Sequence, residues 1–265
     1  NFLPDIETKD KYSEDMFFEY FSHFVDSNKR NPFYVQYSFN LIAAPYVPSP
    51  IHPNYANWNP DNDKTAQDTG YVKSMVEYLD KIMGQVIQKV EDEGLLSNTL
   101  FLFIADNATQ EQIFSRWNNL VIHGTKTETN RPGTTTPLVA FWPGTIAVNS
   151  TSSTLVDYTD FFKTFADVAG VSDLSTYGKM DGVSFYDDLN KTSGEDREWV
   201  FCHWDNNLED TTIAQRYVND RTYKLYDSID GGHVYNISKD IFETQPIPDN
   251  LLTPAEQNKK MQFMS

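Results

Sequence analysis

The chain has 265 residues, 39% of them hydrophobic and 14% aromatic, enough for a real core and against global disorder. With 38 acidic against 21 basic residues the net charge is −17, which disfavours nucleic acids and anionic membranes as partners but not an anionic substrate, whose site needs only a few local cations. No apolar run approaches membrane-spanning length, and Asn1-Phe2-Leu3-Pro4-Asp5 has neither the basic nor the apolar part of a signal peptide. The start therefore reads as following a removed leader or as lying in mid-protein.

In chain order, Ser13 to Phe24 suits a surface helix that ends before Asn31-Pro32, and Phe33 to Phe39 reads as a strand. A loop punctuated by Pro45, Pro48, Pro50, Pro53 and Pro60 follows, long enough to suggest a functional role. From Thr69 to Glu93, Val72, Met75, Val76, Leu79, Ile82, Met83, Val86, Ile87 and Val90 recur at helical spacing, and Gly94 suits the left-handed stop. The run Leu100-Phe101-Leu102-Phe103-Ile104 is continuously apolar, as in a parallel strand covered on both faces, with the preceding helix as its crossover.

Pro137 to Trp142 reads as a second buried strand. Asp157 can cap a helix carrying Phe161, Phe162, Phe165 and Val168, ended by Gly170. Beyond about Asp196, the segments Trp199 to His203, Ile213 to Asn219 and Tyr223 to Tyr226 read as a meander, with a terminal helix over Pro254 to Phe263. The expected organisation is an α/β core over residues 1–195 and a small antiparallel subdomain over residues 196–265.

Asp106 and Asn107 directly follow the first apolar strand, at the carboxyl end where open α/β sheets gather ligands. A carboxylate and an amide carbonyl suit Ca²⁺ or Mg²⁺, although Ca²⁺ takes roughly six to eight oxygen ligands. A strand-end turn would use the same two residue types. Lys126 and His123 lie in the polar loop His123-Gly124-Thr125-Lys126-Thr127, where a lysine can hold a sulfate or phosphate oxygen or simply face solvent. The remaining histidines show no metal-ligand spacing. Cys202 is alone, which forbids an internal disulfide, and its apolar neighbours suggest a buried thiol. Asn107, Asn149, Asn190 and Asn236 head Asn-X-Ser/Thr triplets.

The ordered series Tyr78-Leu79-Asp80, Gly84, Gly94-Leu95, Asn98-Thr99, the apolar strand and Asp106-Asn107-Ala108 resembles the sulfatase family. So do Lys126, Pro137-Leu138-Val139 with Trp142-Pro143-Gly144, Val156-Asp157 to Gly170, Asp181-Gly182-Val183-Ser184, and Tyr223-Lys224-Leu225-Tyr226 with Val234-Tyr235-Asn236-Ile237 and Asp240. The resemblance covers nearly the whole chain and matches that family's C-terminal portion. It implies an alkaline-phosphatase-like α/β core with a mostly parallel sheet and a small C-terminal antiparallel subdomain. It also implies sulfuric ester hydrolysis outside the cytosol, on a sulfated small molecule or glycan.

By the same resemblance, Asp106 and Asn107 would be metal ligands, usually for Ca²⁺, and Lys126 would contact the sulfate and help protonate the leaving oxygen. The family's nucleophile is a formylglycine made within Cys/Ser-X-Pro/Ala-X-Arg. No such motif occurs here, and Cys202 is followed by His203-Trp204-Asp205. That segment, the family's N-terminal Asp pair and its first Lys/His motif would lie upstream, so this chain alone is expected to be inactive. Ala43 stands where the family has a histidine, Ala108 replaces a glycine, and Arg131-Pro132-Gly133-Thr134-Thr135 replaces Glu-Gly-Gly-X-Arg. These changes leave a second reading, a non-catalytic homologue that binds a ligand or partner. A two-zinc phosphoryl-transfer relative would need a His/Asp cluster that the sequence lacks. A sheet without upstream strands would expose an edge able to pair with a second copy.

Overall fold

The computed structural model describes residues 11–59, 68–190, 197–205, 214–228 and 231–264. Pro60, Ile213 and the expected boundary near Asp196 lie outside them. The chain divides into two compact units, Asn1–Leu100 and Phe101–Ser265.

The first unit is built on helices α1 (Ser13–Asn28) and α2 (Val72–Asp92), the latter preceded by a 3₁₀ turn at Thr69–Tyr71. On α2, Met75, Tyr78, Ile82, Val86 and Val90 form the buried spine. The apolar stripe expected from the sequence is narrower in fact: Val76 is exposed, and Tyr78 joins the core because its hydroxyl donates to Asp15 at 2.5 Å. From α1, Phe21 and Val25 are buried, so α1 is a packed helix with an exposed outer face. The Pro-rich loop is structural at its start, where Tyr46 and Ser49 are fully buried and Ser49 Oγ donates to the Ser74 carbonyl at 2.9 Å.

Lys29 and Lys89 both reach Glu93, at 2.6 Å each, and Lys89 also reaches Asp26 at 2.6 Å, tying the ends of α1 and α2 together. Hydrogen bonds from Lys29 and Lys89 hold the Glu93 carboxyl down at about 2, against an ordinary value of 4.5. A depressed folded value means that the contribution is complete above pH 4.5 and is lost as pH falls towards 2. The gap in thermal midpoint between the parent and Glu93→Gln is therefore expected to close over that interval, and a gap independent of pH would contradict the assignment.

Residues 33–39 are not a strand, which corrects the expectation. Phe33, Val35, Tyr37 and Phe39 are half-buried and alternate with exposed residues, giving the period of an extended segment. Their rings pack on α1, with Phe33 against Phe24 and Tyr37 against Phe21, but no described strand supplies a ladder.

In the second unit β1 (Phe101–Ile104) pairs antiparallel with β4 (Leu138–Phe141), in the register Phe101↔Phe141 to Ile104↔Leu138. Between them lie a hairpin of β2 (Phe114–Trp117) and β3 (Leu120–His123) and the short helix α3 (Arg131–Thr134). No described strand pair is parallel. The connection from β1 to β4 runs through a hairpin and one short helical turn rather than a crossover helix, so the chain returns antiparallel. The α/β class stands, but the described part of the sheet is not parallel. β1 is half-buried along its length and Leu138, Val139 and Phe141 of β4 are exposed, so neither is the buried strand that its sequence suggests.

Helix α4 (Asp160–Val168) stops at Gly170, which sits at φ +71, and is followed by the short helix α5 (Tyr186–Asn190). The meander is present as β5 (Val200–Trp204), β6 (Gln215–Asn219), β7 (Tyr223–Tyr226) and β8 (Val234–Asn236), antiparallel throughout, with α6 (Pro254–Met264) after it. Leu225, Val234 and Leu252 form its apolar core, joined by Tyr223, Ile247 and Phe263. Cys202 on β5 is half-buried, not buried, on the strand's more covered side with Val200 and Trp204, while Phe201 and His203 face outward.

Candidate functional site

Asp106 and Asn107 leave β1 into a bend, and both are exposed. Among the described residues neither side chain has a hydrogen-bond or ion-pair partner, so their oxygens are open donors. Tyr158 donates to the carbonyl of Ala105, immediately before Asp106, and its hydroxyl also meets Thr136 Oγ1 at 2.9 Å. That contact fixes the strand end from which the two oxygens project.

Lys126 is tied by its main chain to the segment that follows the Asp106-Asn107 bend. Its N–H donates to the Thr109 carbonyl at 3.0 Å, two residues past Asn107. The Gly124 N–H donates to Ile113 O at 2.9 Å, and a Cβ on Gly124 would lie 2.0 Å from the Gln110 carbonyl, so only glycine permits this approach. Thr127 takes φ +78, and the buried Thr125 hydroxyl donates to Asn130 Oδ1 at 2.9 Å. Asn130 Oδ1 also accepts the Gly133 N–H at 2.9 Å, capping α3. The Lys126 side chain is exposed and unpaired among the described residues.

The far side of this loop is clamped to the meander. Lys224, buried on β7, donates to the Thr129 carbonyl and pairs with Glu243 at 3.1 Å, its ammonium 3.7 Å from the centre of the Tyr217 ring. The Tyr226 hydroxyl donates to Glu243 at 2.7 Å and meets Thr129 Oγ1 at 2.9 Å. Burial pushes the Glu243 carboxyl up and the Lys224 ammonium down, each against the pull of the other's charge.

Of the expected site residues, Asp106 and Asn107 follow the end of β1, and Lys126 is tied through its main chain to Thr109, two residues past Asn107. His123 lies apart in kind: its ring stacks on Phe242 at 5.3 Å, and Nδ1–H donates to the Gly124 carbonyl at 2.9 Å. Two exposed hard oxygen donors fit Ca²⁺ or Mg²⁺ in type. They do not complete a cage, and among the described residues no group of three His, Cys, Asp or Glu could hold a metal ion. The Tyr158 support, the Lys224–Glu243 clamp and the β2–β3 hairpin escape a reading by motif. The hairpin had a signal in Asn118-Asn119 between two apolar stretches, and both residues take positive φ, 46 and 67, as a two-residue hairpin turn demands.

The sulfatase family profile matches residues 2–171, and that of the N-sulphoglucosamine sulphohydrolase C-terminal region matches residues 127–262. A sulfatase of Formosa agariphila is 28% identical over 254 residues, covering 87% of this chain and 44% of that protein. An ulvan-active sulfatase of the same organism is 31% identical over 176 residues, covering 63% of this chain and 31% of that protein. The crystal structure of Ps i-CgsB in complex with k-i-k-neocarrahexaose superposes with a TM-score of 0.69 at 18% identity, over 97% of this chain and 54% of that one. A sulfatase structure from Pseudoalteromonas sp. gives 0.67 at 22% identity, over 95% and 50%. The chain spans about half the length, or less, of the relatives it matches.

Proposed function

The chain belongs to the sulfatase family, and from that premise we propose that it carries the C-terminal share of a sulfuric ester hydrolase site. Asp106 and Asn107 hold a divalent cation, Ca²⁺ in preference to Mg²⁺, through their side-chain oxygens. The bound cation neutralises charge on the sulfate. Lys126 places its ammonium on a sulfate oxygen and helps deliver a proton to the leaving oxygen. The nucleophile and the remaining ligands come from outside the segment whose motifs match here.

What supports this reading is the bond from Lys126 N–H to Thr109 O, two residues past Asn107, with all three side chains exposed and unpaired among the described residues. The substrate class is a sulfated glycan, met outside the cytosol. Support comes from the ulvan-active relative, from the neocarrahexaose complex, and from a structural neighbour holding its substrate D-glucosamine-2-N,6-O-disulfate. No described helix is long and apolar enough to cross a membrane.

In the full-length protein, Lys126→Ala is expected to lower sulfate release from a sulfated oligosaccharide on the order of 10²-fold, the cost of losing a donor to a transferring group. Unchanged release would remove Lys126 from the chemistry. The second reading, a non-catalytic binding module, is favoured by Ala43 and by the Arg131-Pro132-Gly133 departure. Oligosaccharide binding by the unaltered protein without any sulfate release would select it.

A further inference from the structure

We propose that the β2–β3 hairpin is a glycan-reading arm of the site, with one face that seats the sugar and sulfate groups flanking the ester at Lys126. The inference rests on the sulfated-glycan reading above and adds the surface that recognises the rest of the chain.

Both ends of the hairpin run into the site. Ile113 O and Thr109 O accept from Gly124 and Lys126, so β2 follows from the Asp106-Asn107 bend and β3 leads into the Lys126 loop. The register pairs Phe114 with His123 and Arg116 with Val121, and directly opposed residues share a face. The His123 ring stacks on Phe242 with centres 5.3 Å apart, and the Phe114 ring lies 6.4 Å from it, tilted by 53°. Arg116 and Val121 come next, two residues farther from Lys126. Phe114 is 70% and Val121 62% exposed. The Arg116 guanidinium has no partner among the described residues.

Charge selects the occupant. Residues 112–127 contain no Asp or Glu and carry Arg116, His123 and Lys126, in a chain whose net charge is −17. The exposed Phe114 ring, tilted 53° to His123, offers an aromatic face to the apolar side of a pyranose ring, and a planar guanidinium suits bidentate pairing with a sulfate. A neutral protein partner would have no use for the acid-free stretch, and a second copy, whose carboxylates could also pair with Arg116, is told apart by the oligomeric state of the variants. The opposite face, with Trp117 and Leu120, lacks a cation and is not assigned to the glycan.

Calorimetry of the full-length protein with a sulfated galactan hexasaccharide and with its desulfated counterpart tests this directly. Phe114→Ala and Arg116→Gln are each expected to weaken the sulfated ligand about tenfold, with circular dichroism unchanged because both side chains are exposed. The desulfated ligand is expected to bind at least tenfold more weakly and to ignore Arg116→Gln. Wild-type affinity in both variants would overturn the proposal, as would a parent protein that does not bind the sulfated hexasaccharide. Loss in Trp117→Ala without loss in Phe114→Ala would overturn the assigned face. Dissociation of a dimer by these variants, with glycan affinity intact, would give the surface to a second copy and likewise overturn it. Lys126→Ala, run in parallel, separates the two readings, since the hairpin effects are expected in its background as well.

Discussion

Asp160→Ala is expected to lower the unfolding free energy by about 3–5 kcal/mol, the cost of breaking a buried ion pair from one side. Asp160 is 1% exposed and accepts four hydrogen bonds: from Arg197 Nε at 3.0 Å, from Arg197 Nη2, and from the main-chain N–H groups of Asp157 and Val183 at 2.7 Å each. Alanine would leave the Arg197 guanidinium without its carboxylate, holding only the Asp181 and Trp199 carbonyls and Thr159 Oγ1, and would leave two half-buried amides unpaired. The same carboxylate draws the Asp181-Gly182-Val183-Ser184 segment onto the start of α4, where a Cβ on Gly182 would meet Thr159 O at 2.1 Å. Tyr158, whose hydroxyl holds Ala105 beside Asp106, sits in the turn that Asp157 closes by accepting the Thr159 N–H at 2.9 Å. The variant should therefore loosen the Asp106-Asn107 bend as well as the fold. Urea unfolding reads the first effect, and a loss below about 1 kcal/mol would mean that the pair is solvated like a surface one.

Lys224→Met is expected to cost a similar amount, about 3–5 kcal/mol, and to do so in a pH-dependent way. Without the ammonium, Glu243 is a buried carboxylate with only Tyr226 and the Arg131 main chain to satisfy it. Burial already pushes Glu243 up, and losing Lys224 pushes it further. A raised folded value means that stability is fullest below the ordinary carboxylate range and falls as pH rises through the folded value. The deficit should thus be larger at about pH 7 than at about pH 5. Adding Glu243→Gln removes the stranded charge and should recover most of the loss near pH 7. A deficit insensitive to both pH and Glu243→Gln would assign the effect to packing against Tyr217 instead.

The setting of the proposed site residues was legible because it is local. Asp106-Asn107 directly follows an apolar strand, and Lys126 sits in a short polar loop, so position along the chain already gives each its setting. The helix at 72–92 and the meander were legible for the same reason, since periodicity and turn residues lie within each segment. What was not legible depends on partners distant in sequence. Phe33 to Phe39 has a strand's alternation, but a strand also needs a ladder, and none is described. Phe101 to Ile104 has the composition of a doubly covered strand, yet β4 meets it antiparallel and both are partly exposed. The clamp from Lys224 to Thr129 joins residues 95 positions apart, beyond the reach of any spacing rule. Its sequence signal was at most one lysine in an apolar strand.

Calorimetric titration of Ca²⁺ into the full-length protein and into its Asp106→Ala/Asn107→Ala variant tests the central claim most directly. Binding in the parent that disappears in the double variant is the predicted result. Binding of equal affinity in both would place the cation on other residues and contradict the assignment of this strand end as the metal half of a sulfate ester site.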